Sequence, residues 1–85
     1  MNKAKKSATE IEKLFAERLL QIMRERELSY QQVEALTGVP SSSLHDYASC
    51  KVSIPLNTAK RIADGLGTSL SWMIGESSRL EKKEA

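Results

Sequence analysis

The sequence predicts an all-α fold, a compact bundle of five short helices. Three observations carry that prediction. Apolar residues recur at helical spacing, and capping residues, glycines and prolines punctuate the chain at short intervals. No run of roughly four to eight residues alternates apolar with polar, as a half-buried strand would. Eighty-five residues make one domain, with no room for a second core. A 40 % apolar content, mostly Leu, Ile, Val and Ala with few aromatics, suits small helices packed on one another.

The elements follow in order. Residues 1–8 form a basic arm carrying Lys3, Lys5 and Lys6. Thr9 followed by Glu12 is a capping-box pattern that starts the first helix and the domain proper, residues 9–76. Ile11, Phe15, Leu19 and Ile22 then fall at helical spacing, with Leu14 and Met23 beside them, and Arg24 to Glu27 close the helix. Ser29 with Gln32 repeats the capping box, and Val33 and Leu36 give the second helix its apolar side. Gly38 is placed to end that helix in the left-handed conformation, Val39 turns back to the core, and Pro40 tolerates a first helical turn.

The third helix runs from about Ser41 to Ser49. Leu44, Tyr47 and Ala48 share one side; Ser41, Ser42, His45, Asp46 and Ser49 share the other. After the loop KVSIP, a fourth helix from Leu56 to about Gly65 turns Ala59, Ile62 and Ala63 inward, with Gly65 and Gly67 marking its end. Ser69 or Ser71 caps a short fifth helix bearing Leu70, Trp72, Met73 and Ile74. Residues 77–85 form a polar tail. Helix, tight turn and a small polar helix over Ser29–Ser49 constitute a helix-turn-helix, whose second helix can enter a DNA major groove.

Charge and cysteine content narrow the function classes. The net charge of +2 sits entirely within residues 1–13, and residues 14–85 balance nine positive against nine negative side chains. That neutral core speaks mildly against nucleic acid, where a basic patch is the usual footprint. The single cysteine, Cys50, excludes an internal disulfide and a multi-cysteine zinc site. No long apolar stretch suggests a membrane span or signal peptide, so the simplest expectation is a cytoplasmic protein. His45 and Asp46 are adjacent on a helix and so diverge, and no third group orients them; no catalytic, metal or cofactor site is expected.

The residues at this point resemble a family. The stretches LTGVPSSSL and IPLNTAKRIADGLGTSLSWMIG are similar to the phage-repressor and Cro-type (XRE family) helix-turn-helix domain, over about Phe15 to Gly75. The closing pattern I-A-x-x-L-G-x-S-x-x-W-x-x-G at its distance downstream makes the likeness specific. The resemblance implies a lambda-repressor-like five-helix DNA-binding domain that acts as a homodimer on double-stranded operator DNA. It implies base reading by Pro40, Ser41, Ser42 and Asp46, with His45 beside them on the exposed face. It implies phosphate contacts by Tyr30, which also braces the reading helix, and by Ser49 and Lys51. Trp72 and Met73, in the closing motif, belong either to the dimer contact or to the core. Lys3, Lys5 and Lys6 are either a solubilising arm or a DNA-wrapping one.

Departures from the family pattern sharpen these expectations. Where the family often has a small Ala, this chain has Glu34, which must tilt outward or splay the two helices. Where the family commonly has Gly, it has Cys50; because Cβ disfavours the left-handed conformation, the loop there is expected to take a different path. Where the family often pairs an Arg with a Glu, it has Met23 and Ala48. Losing one partner would strand a buried charge at about 3–5 kcal/mol, whereas replacing both by apolar groups is neutral or better. The leading expectation is therefore a bacterial or phage-encoded, nucleoid-associated transcriptional regulator, a repressor of phage or mobile-element type, with a possible regulatory partner protein. The alternative is a protein-interaction module, antitoxin-like or an anti-repressor partner, on the same fold.

Overall fold

Five helices account for the fold of residues 10–76, the part of the chain that the computed structural model describes: α1 (Glu10–Arg26), α2 (Tyr30–Thr37), α3 (Ser41–Ala48), α4 (Leu56–Leu66) and α5 (Leu70–Met73). The basic arm with Lys3, Lys5 and Lys6, the Thr9 half of the first capping box and the tail 77–85 lie outside the described residues.

Helix α1 is the longest element, and α3 and α5 pack against it. Phe15, Ala16, Leu19, Ile22 and Met23 bury one stripe of it, while Glu10 and Glu12 in its first turn and Arg24 and Arg26 in its last complement the helix dipole. Glu27 takes φ 56°, so the Leu28 N–H reaches back to the Met23 carbonyl at 2.8 Å and closes the helix. Two arginines of α1 cap other helices. Arg26 Nη1 donates to the Leu66 carbonyl at 2.7 Å, at the end of α4. Arg18 Nη1 donates to the Trp72 carbonyl at 2.9 Å, in α5, and its guanidinium lies 4.4 Å from the Trp72 ring centroid.

Helix α2 begins at the expected capping box. Ser29 Oγ accepts from the Gln32 N–H at 3.1 Å, and Gln32 Oε1 accepts from the Ser29 N–H at 2.7 Å. It ends at Gly38, φ 79°, whose N–H donates to the Glu34 carbonyl. The buried side of α2 differs from the expected one: Val33 is fully buried, but its companion is Thr37, and Leu36 is 52 % exposed. The reason lies in α4. A Cβ on Gly65 would stand 2.6 Å from the Leu36 carbonyl oxygen and 2.7 Å from Thr37 Cγ2. The backbones of α2 and α4 therefore touch there, which turns Thr37 inward and Leu36 out. Gly65 is thus a packing residue inside α4, not its end signal; Gly67, just past Leu66, closes the helix.

The core gathers Phe15, Leu19, Ile22, Met23, Val33, Val39, Leu44, Ala59, Ile62, Ala63, Leu66, Trp72 and Met73. Met23 is buried and Ala48 packs against the same cluster, so the apolar pair stands where a charged pair would need burial. Ile11, expected inward, is 53 % exposed, because it lies in the first turn of α1 where the bundle ends. Cys50 corrects another expectation. It adopts φ 59°, and the Lys51 N–H donates to the Asp46 carbonyl at 2.9 Å, so the loop keeps the left-handed path that glycine would favour. The cysteine bears the strain rather than the loop rerouting.

Two substitutions test this. Cys50→Gly relieves the Cβ contact and raises the unfolding free energy by about 1 kcal/mol, read from urea denaturation. Gly65→Ala forces a methyl into the α2–α4 contact and lowers it by about 1–3 kcal/mol, with a matching fall in melting temperature.

Candidate nucleic-acid interface

The surface that α3 presents is made by what its other side buries. Leu44 is wholly buried, Val39 just before the helix is 2 % exposed, and Tyr47 and Ala48 pack against the core. Those contacts fix the helix roll, so Ser42, His45 and Ser49 point to solvent and Ser41 and Asp46 lie half-exposed beside them. The five polar residues grouped from the sequence do form one face. Pro40, exposed, is the residue just before the first turn rather than part of it, at φ −55° and ψ 143°.

The turn ahead of α3 is tied by one hydroxyl. Thr37 Oγ1 donates to the Val33 carbonyl at 2.8 Å and accepts from the Val39 N–H at 3.1 Å, both buried. Since Pro40 has no side-chain cap to offer, the leading amide of α3 takes its acceptor from α2: the Ser41 N–H donates to Glu34 Oε1 at 3.1 Å. Glu34 therefore tilts outward without splaying the helices. The sequence marked Glu34 as misplaced but did not reveal it as a cap; its spacing, seven residues before a helix start that lacks its own cap, was the available signal.

Tyr30 and His45 meet edge to face, ring centroids 5.4 Å apart and planes at 68°. Tyr30 thus braces the exposed face of α3 directly, from the first residue of α2. Ser49 is committed differently: its Oγ donates to the His45 carbonyl at 2.8 Å, so a phosphate contact through that hydroxyl requires it to turn. Lys51 is exposed beyond the end of α3. The face is polar, with Glu34 and Asp46 as its acidic groups, Lys51 as its basic group and the His45 imidazole exposed. Among the described residues no group of three or more His, Cys, Asp or Glu side chains is set to hold a metal, and no helix is long and apolar enough to cross a membrane.

Trp72 and Met73 lie elsewhere. They are 7 % and 0 % exposed and part of the core, one of the two placements the sequence left open, while the Arg18 guanidinium over the Trp72 ring had no sequence signal. Any contact between copies at this end is left to their neighbours.

A family model for the Cro/C1-type HTH DNA-binding domain matches residues 18–71, well over half of the chain. The chain belongs to that family. The match takes in α2, the turn, α3 and Lys51, hence every candidate base and phosphate contact named above, and stops one residue short of Trp72. No curated protein and no solved structure matches the chain. As a Cro/C1-type domain, the protein is a DNA-binding regulator of transcription, and the family is a regulatory DNA-binding domain rather than an enzyme class.

Tyr30→Leu keeps apolar bulk on α2 but removes the ring edge that holds His45. The expected result is a loss of about 1 kcal/mol in stability together with a displaced and broadened His45 ring signal in the NMR spectrum.

Proposed function

We propose that the protein is a repressor of phage or mobile-element type that binds a roughly palindromic operator as a homodimer, acting on the nucleoid in the cytoplasm. The observation that carries this is the exposed polar face of α3, held rigid by Leu44 beneath it, Glu34 at its leading end and Tyr30 at its side. In this reading α3 enters the major groove and half-sites lie about one helical turn apart. Ser41 and Ser42 approach base edges closely because they are short. His45 offers a ring nitrogen, and Asp46 accepts from a cytosine amino group. Pro40 sets where the leading turn begins. Tyr30, Ser49 and Lys51 fall at the flanks, where phosphates run, and Lys3, Lys5 and Lys6 add a basic arm.

The dimer rests on a second surface. Ile11, Phe15, Ile54, Leu56, Ala59, Leu70 and Ile74, with Glu12 among them, line a mostly apolar groove of about 290 Å³. Leu56 is 78 % exposed at its rim. A second copy covering this patch removes its apolar area from water, the usual driving force for such association. Trp72 and Met73 then support the interface from beneath.

The alternative, a protein-interaction module with a regulatory partner, is favoured by one observation: two acidic groups, Glu34 and Asp46, on or beside a face with a neutral surround. It predicts a dominant partner protein and weak, sequence-blind DNA affinity.

Selection from random duplex DNA, with mass measured in solution, separates these. The expected outcome is one enriched palindrome, a dimeric mass, and a log affinity that falls linearly with log salt. Ser42→Ala relaxes base preference at one position, costing about 1–3 kcal/mol of discrimination there, with an unchanged melting temperature. Equal affinity for every duplex, or binding indifferent to salt, overturns the reading.

A further inference from the structure

Glu34 is the one charged side chain of α2, and it is spent on the amide that leads α3. A helix start carries partial positive charge and free N–H donors, and so attracts any anion, a DNA phosphate included. Here an intramolecular carboxylate is already seated on that start. The Pro40 cap position supplies no competing group, and the Thr37 and Gly65 contacts hold α2 where its carboxylate reaches the Ser41 N–H. Glu34 is exposed, so its charge also acts on whatever approaches.

We infer that Glu34 is a specificity-determining residue: it fixes the leading turn of α3 and suppresses sequence-blind DNA binding by occupying, with its own negative charge, the amide a phosphate would otherwise take. The inference rests on the DNA-reading role given to α3. Sequence-blind binding is almost wholly electrostatic, with the protein lying against phosphates. There the carboxylate is repelled and the Ser41 amide is already taken. In the specific complex the same turn faces base edges, which carry no net charge, and the repulsion is smaller. The charge therefore penalises wrong sites more than the right one, while the bond to Ser41 keeps the reading side chains in register.

Three proteins are compared, wild type, Glu34→Gln and Glu34→Ala, by fluorescence anisotropy on the selected operator and on random duplex across a salt series, with thermal melts of each. Gln keeps an acceptor for the Ser41 N–H and loses the charge; Ala loses both. E34Q melts within about 2 °C of wild type and binds random duplex about threefold or more tighter, with a steeper salt slope. Its preference for operator over random duplex falls by a similar factor. E34A shows the same lost preference and also melts lower. A cap with no electrostatic role leaves the salt slope unmoved in E34Q. An unchanged operator preference and salt slope in E34Q overturns the inference while leaving the DNA-reading role standing. If wild type prefers no duplex at all, both fall together.

Discussion

The contact on which the structure depends is the backbone approach of α2 and α4 at Gly65. With no Cβ there, the Leu36 carbonyl and the Thr37 side chain come within a distance that a methyl group could not share. That approach seats Thr37 in the interior, and only from there can its hydroxyl bridge the Val33 carbonyl and the Val39 N–H. The bridge sets the turn, the turn sets the start of α3, and the roll of α3 decides which side chains face out. A single missing carbon on a helix that carries none of the candidate contacts thus bears on where α3 begins and which of its side chains face out.

The exposed face is built by restraint from both ends rather than by charge. Glu34 holds the first amide of α3, Tyr30 holds His45 from the side, and the left-handed Cys50 lets the Lys51 N–H close the last turn on Asp46. The residues between are mostly serines, which cost little entropy to order and bring the helix backbone close to a partner. Two carboxylates beside them oppose long-range attraction to a polyanion. On the proposed reading, discrimination then comes from short-range hydrogen bonding, with electrostatics acting mainly to lower the background.

Helix α1 has a less visible part. Its arginines donate to the Leu66 and Trp72 carbonyls at the ends of α4 and α5, where helix geometry offers fewer backbone partners. Arg18 also covers the Trp72 ring, so the C-terminal end of the bundle is fastened to α1 by one side chain making a hydrogen bond and a ring contact together. This fastening keeps Trp72 in the core and leaves Leu56, Ile11 and Ile74 as the apolar surface at that end of the molecule.

Local chemistry was legible in the chain. Ser29 with Gln32 declares a helix start through a side chain that reaches only its own first turn, the fifth helix takes Ser69 of the two serines offered as its cap, and Gly38 declares an end through φ alone. The apolar spacing of Phe15, Leu19 and Ile22 named one core stripe, and the turn with a polar third helix pointed to the exposed face. What the sequence misread needed a second element. Leu36 looks inward by period, but the depth of α4 at Gly65 turns Thr37 in instead. Ile11 lies at helical spacing, yet among the described residues its place in the first turn of α1 leaves it half exposed. Glu34 looks like an intruder until the uncapped start of α3 is brought beside it, and Cys50 looks unfit for its loop until the closing hydrogen bonds outweigh its strain. The sequence by itself determined the helices, the caps at Ser29 and Gly38 and the polar character of the third helix, because those follow from contacts within a few residues. Only the tertiary structure decided burial, helix roll and the partners of Glu34, Tyr30 and Arg18, because these depend on how closely two backbones can approach.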